Sequence, residues 1–217
     1  MFLLGLNSIN RFKGFRMPFV LRYLSATSLA FLSASALAAT TVYTTSASFL
    51  AQVAAGGYTE AFTGLANPPS GPVSFAGGVF AYSAAAPSDI YLAGGFLGTN
   101  QIDEALTISF TSGNVTAVGG NFFSTDINDA FQSVPVTLTL SDGTTRTFTP
   151  TSVADSYRGF TSTATIASLT IGKPGQSLYA GLDNLTVGKV VAVPEPASWA
   201  LMGLGMAAFL VARRRNA

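Results

Sequence analysis

The feature that most constrains this chain is a series of short β-type runs punctuated by turn residues, clearest in VTLTLSDGTTRTFT at 136–149. Val136, Leu138 and Leu140 alternate with Thr137 and Thr139, a period of two that buries one strand face and leaves the other to solvent. The loop Ser141-Asp142-Gly143 places Gly143 at the left-handed position such loops need, and it sets Val136 opposite Phe148 on the apolar face. A two-residue Asp142-Gly143 turn would pair Val136 with Thr149 instead, and a slip of one moves a whole side-chain set to the wrong face. Similar runs are expected as strands at 58–62, 73–82, 106–110, 115–123, 166–171 and 178–187. Gly, Pro, Asn and Asp clusters separate them, including NPPSGP at 67–72. With no βαβ alternation and no repeat of fixed period, the chain reads as mainly β, an antiparallel sandwich or barrel. One short N-terminal helix is expected within TSASFLAQVAAGG at 45–57, with Phe49, Leu50 and Val53 on one side, Ser46 as cap and Gly56 as stop.

Composition narrows the chemistry. The chain has no Cys and no His, so its core rests on apolar packing without disulfides. The usual zinc sites, Ser-His-Asp triads and Cys-His dyads cannot be built. Arg146, Arg158, Lys173 and Lys189 stand against all ten acidic residues between the two basic ends. That mildly acidic surface repels phosphate backbones and argues against nucleic acid as a partner. No cofactor is implied beyond calcium, which the oxygen ligands of Asp126, Asn128 and Asp129 suit, although the Gly and distal Glu of an EF-hand loop are missing. Asp103, Glu104, Asp155 and Asp183 read as loop carboxylates and turn caps. A two-carboxylate hydrolase would need a set spatial separation that spacing does not supply. No catalytic residue is assigned, and the expected answer to the question of catalysis is no. GGNFFST at 119–125, with Tyr157 and Phe160, offers the residues for an aromatic sugar-binding platform, while core packing explains the adjacent Phe122 and Phe123 more economically.

Both ends are segregated from this body. YLSATSLAFLSASALAA at 23–39 follows a scattered basic stretch and carries Ala36-Leu37-Ala38, the pattern of a signal peptide cut after Ala38. Counted from Met1 that signal spans 38 residues; counted from Met17 it has the usual length, so Met17 is the expected start. The expected organisation is a signal peptide over 1–38, a β-sandwich domain over 39–190 and a C-terminal tail over 191–217.

The tail reads VPEPASWALMGLGMAAFLVARRRNA from Val193. Pro194 and Pro196 hold the segment around Glu195 extended. Residues 197–212 are apolar or small, shorter than the ~20 that cross a bilayer comfortably, with Trp199 suited to the interface. Arg213, Arg214 and Arg215 obey the positive-inside rule and form a membrane stop. A single hydrophobic helix is expected here, transiently anchored in the cytoplasmic membrane. This order closely resembles the PEP-CTERM sorting signal of Gram-negative bacteria: Pro194-Glu195-Pro196, a hydrophobic span, then the arginine cluster. The resemblance covers about the last 25 residues and implies an exosortase as processing partner. It also implies release or attachment at the cell surface, often alongside exopolysaccharide. YTEAFTGL at 58–65, AVGGNFF at 117–123, LTLSDGT at 138–144, RGF at 158–160 and LDNLTVG at 182–188 resemble domains commonly joined to that signal. Those domains look like jelly-roll sandwiches related in shape to carbohydrate-binding modules. The resulting expectation is an exported surface or matrix protein, with a module recognising exopolysaccharide as the alternative and a hydrolase third.

Overall fold

The computed structural model describes residues 39–68, 71–92, 94–191, 203–206 and 214. The expected signal peptide, Pro194, Glu195, Pro196, Arg213 and Arg215 lie outside the described residues. Numbered in chain order, the strands form two antiparallel sheets consistent with a β-sandwich. The larger sheet runs β1 (Thr40–Tyr43), β12 (Tyr157–Ser162), β8 (Ala117–Thr125), β14 (Tyr179–Gly188), β6 (Leu97–Thr99), β5 (Ile90–Tyr91). To this path β2 (Tyr58–Glu60) adds on β14 and β9 (Phe131–Gln132) adds on β8. The smaller sheet runs β11 (Thr145–Phe148), β10 (Val136–Leu140), β13 (Ser168–Ile171), β7 (Leu106–Ser109), β4 (Phe80–Ala85), β3 (Val73–Gly77).

The hairpin of β10 and β11 has the expected register, Val136 opposite Phe148, with Gly143 at φ +86°. The expected strand at 73–82 is instead two strands, because the chain reverses at Gly78 (φ +60°) and pairs Gly77 with Phe80. Five strands carry too little pattern to be read from sequence: β1, β5, β6, β9 and β12. Their lengths of two to six residues, or the Arg158-Gly159 interruption within β12, break the alternation. The helix α1 spans only Ser46–Leu50. Its cap is Thr45 rather than Ser46, with the Thr45 hydroxyl accepting from the Ser48 N–H at 3.3 Å. After Leu50 the chain turns, and Val53 forms a bridge with Val190.

The main core lies where the inner faces of the sheets meet. Val118, Phe122, Phe160 and Leu182 from the larger sheet join Tyr82, Ile108, Leu138 and Leu169 from the smaller in one buried cluster. Each such side chain contributes about 1.5–3 kcal/mol by leaving water.

The two outer faces differ. On the smaller sheet, the register aligns Ser74, Ser83, Ser109 and Ser168 in one row across four strands. A second row aligns Ala85, Thr107, Thr170, Thr139 and Thr145. Neighbouring hydroxyls touch, as in Thr137 and Thr147 at 2.9 Å. On the larger sheet, two caps cover the ends. Phe49 of α1 packs with Tyr43, Ala117, Tyr157 and Val53 over the bare backbone of Gly119 and Gly159. At the opposite end Phe123 stacks edge-on against Phe96, with ring centroids 5.4 Å apart, above Gly181.

Candidate functional site

Between those two caps the larger sheet is broken in a specific way. Along one edge of β14, β8 pairs with Tyr179–Asp183 and again with Thr186–Gly188, and the register jumps between Asp183 and Thr186. Along the other edge, β6 pairs with Gly181 and Leu182, and β2 takes over from Leu185 to Val187. Asp183 and Asn184 sit at the handover with no strand partner on that side. Asn184 adopts φ +51°, a left-handed conformation that Asn tolerates better than most residues. The result is a β-bulge, a device that re-aims side chains and is common beside binding sites.

The bulge opens a groove of about 260 Å³ on the outer face, lined by Ser46, Leu50, Thr59, Asn121, Tyr157, Asn184 and Thr186. Asn121 is fixed by donating to the Val153 carbonyl at 2.8 Å. Asn184 donates its side-chain amide to Asp183 Oδ2 at 3.0 Å and to Asn121 Oδ1 at 3.4 Å. Asp183 Oδ1 in turn accepts the Asn184 backbone N–H at 2.7 Å. Burial raises the Asp183 carboxyl above its ordinary value, against the lowering effect of that backbone hydrogen bond. The Thr59 and Thr186 hydroxyls pair at 2.8 Å across β2 and β14.

Tyr157 closes the groove at the α1 side. It is 6% exposed, and among the described residues its buried hydroxyl has no partner at hydrogen-bonding geometry. Burial pushes its pKa well up, and the nearby Ser46 hydroxyl draws it partly back. Arg158 is turned away, its guanidinium stacked 3.7 Å from the Phe148 ring centroid.

The residues singled out from sequence fall elsewhere. Tyr157 and Phe160 do not form an exposed aromatic platform with Phe122 and Phe123. All four are buried, Phe122 and Phe160 facing the main core and Phe123 covered by Phe96. Asp126 and Asp129 line a second, smaller hollow of about 110 Å³ with Tyr91, Phe96, Ile127 and Tyr179. There Asp126 Oδ1 accepts the Asn128 and Ala130 backbone N–H groups, and Oδ2 accepts the Gln132 amide. Asp129 Oδ2 accepts the Tyr91 hydroxyl at 2.6 Å. A calcium ion held by Asp126, Asn128 and Asp129 would compete with those donors. Among the described residues no group of three or more His, Cys, Asp or Glu side chains stands close enough to hold a metal. Glu104 and Asp155 cap loops, accepting from Ser88 and Thr151 respectively. Asn184 was missed as a site residue. The signal was present in LDNLTVG, since Asp and Asn are poor strand formers and Asn suits a left-handed bulge.

Residues 192–215 match the PEP-CTERM protein-sorting motif. The motif supports sorting of the chain by an exosortase-type system. No curated protein and no solved structure matches the chain.

Proposed function

We propose that this chain, with its PEP-CTERM motif, is an exported protein delivered by a signal peptide over 1–38 and trimmed by an exosortase at Pro194-Glu195-Pro196. The observation that carries this reading is the seam between fold and motif. Among the described residues the last backbone tie of the body is the Val191 N–H donating to the Gln52 carbonyl at 2.8 Å, and the motif begins at residue 192. The other end supports the same organisation: β1 begins at Thr40, and the Ala39 N–H donates to Thr163 Oγ1 at 3.1 Å.

In this reading the tail from 197 to 212 forms one apolar helix that anchors the chain transiently in the cytoplasmic membrane, with Arg213, Arg214 and Arg215 as the inner stop. Residues 203–206 are helical, with Leu204 and Met206 exposed, which supports an apolar helix there. Among the described residues no helix is long and apolar enough to cross a membrane. The body, a jelly-roll-like sandwich over 39–190, then serves at the cell surface or in the extracellular matrix as a structural or adhesive component of exopolysaccharide or biofilm. The bare Ser and Thr rows of the smaller sheet suit such a wet, uncharged setting. A second reading, a module that recognises exopolysaccharide, is favoured by the polar groove at Asn121 and Asn184.

Replacing Pro194, Glu195 and Pro196 together by alanine tests the sorting role, because alanine lets the tail continue as helix. Export stays intact and the uncut protein accumulates in the cytoplasmic membrane. Trimming and release at the normal rate would overturn the proposal.

A further inference from the structure

We infer that the groove over the β14 bulge is a binding site for a single neutral sugar ring, with Asn121 and Asn184 as the groups that hydrogen-bond its hydroxyls. This rests on the second reading above, that the body meets glycan outside the cell, and adds to it a place and a ligand class.

The bulge is a departure from the cheapest structure. An unbroken β14 would pair regularly with β8, yet the chain adopts a positive φ at Asn184 and presents its carboxamide beside that of Asn121. Asp183 acts as a positioning residue, holding both the backbone and side-chain amides of Asn184.

The lining selects the ligand. Carboxamides and hydroxyls both donate and accept, as sugar hydroxyls do. Among the described residues no Lys or Arg lines the groove, and Asp183 stands beside it, so an anionic sugar or a phosphate is disfavoured. The exposed side chain of Leu50 on the α1 wall supplies an apolar contact for a ring face. At about 260 Å³ the groove falls below the ~300–1,000 Å³ of pockets for drug-sized ligands, which fits one ring and not a stretch of chain.

The test uses the exported protein recovered from the producing cell, labelled with nitrogen-15. Methyl glycosides of glucose, galactose, mannose and N-acetylglucosamine are titrated in, with glucuronic acid as the anionic counterpart. Trp199 lies in the tail, so side-chain amide signals are a better reporter than tryptophan fluorescence. At least one neutral glycoside moves the Asn121 and Asn184 side-chain signals saturably, and glucuronic acid does so less. Asn184→Gly keeps the left-handed backbone and removes the carboxamide. It weakens binding about tenfold, a factor equal to ~1.4 kcal/mol. Its melting temperature stays level, which separates loss of binding from loss of fold. If glycosides bind but shift only signals around Tyr91 and Tyr179, or if Asn184→Gly binds normally, the groove assignment fails and glycan recognition stands. If no glycoside shifts any signal, both fall, while the sorting role is untouched because it rests on the motif.

Discussion

The outer faces of the two sheets are made from similar residues and end as opposite surfaces. The smaller sheet keeps strict alternation, so its outward positions line up as Ser and Thr rows, with threonine hydroxyls paired across neighbouring strands. The larger sheet gives up alternation at β8 and β14, where glycines at 119 and 181 thin the surface and aromatic caps settle onto it. Regular strands build a plain surface that register alone determines. A concave, polar site requires the sheet to be interrupted, by missing Cβ atoms, a bulge and a change of partner strand.

If this contrast is right, the covered face should be much more sensitive to substitution than the bare one. Phe49→Ala has the largest expected effect, about 3–5 kcal/mol by urea unfolding, because a fully buried ring leaves a cavity over Gly119 and Gly159. A loss under ~1 kcal/mol would mean that α1 merely rests on the sheet, within the range of an ordinary surface change.

Gly159→Ala approaches the same contact from below. An added Cβ would stand 2.5 Å from a Phe49 ring carbon, and overpacking of this kind costs about 1–3 kcal/mol. A fully stable variant would show that the cap is loosely seated.

At the bulge, Asn184→Ala and Asn184→Gly should part company. Alanine at φ +51° loses about 1–2 kcal/mol, whereas glycine at the same angle is unstrained. Equal melting temperatures would indicate that the bulge relaxes into ordinary strand.

Acid titration distinguishes the faces by sign. At the β10–β11 turn, burial tends to raise Asp142, but hydrogen bonds from the Thr40 hydroxyl and Thr144 N–H outweigh it and lower the carboxyl below 3.8. The stability this contributes is fully present above that unfolded value and is lost as pH falls through the lowered one. Asp183 is raised by burial, so it costs stability increasingly as pH climbs from 3.8 through its higher folded value. Melting curves should show Asp142→Asn destabilised near neutrality and converging with the parent in acid. Asp183→Asn should gain over the parent as pH rises. The same sign for both would contradict the assignment of their environments.

The smallest effect is reserved for the bare face. Thr139→Ala removes one exposed member of a row between Thr170 and Thr145, worth about 0.2–1 kcal/mol. A larger loss would give the rows a structural weight that the contrast denies them.

The same contrast explains what could be read from the chain. The β10–β11 hairpin, its register and its left-handed glycine follow from alternation and turn chemistry that are local. The β3–β4 reversal was hidden because apolar residues flank Gly77 and Gly78 without a polar break. Tyr157 and Phe160 looked exposed because Gly159 between them carries no sign of the Phe49 ring above it, a contact 110 residues away in sequence order. The groove depends on β2, β6, β8 and β14 meeting at one point, and no local pattern encodes that meeting. The tail is the reverse case: its three elements are contiguous, so the motif at 192–215 was legible where the site was not.

The claim that joins body and tail is that the folded part is delivered alone. Intact-mass and terminal-peptide spectrometry of the protein recovered from outside the cell tests it most directly. The account predicts a first residue of Ala39, already tied to Thr163, and a last residue at or before Pro196, with 197–217 gone. Surface-recovered protein that still carries the apolar segment and Arg213–Arg215 would contradict it.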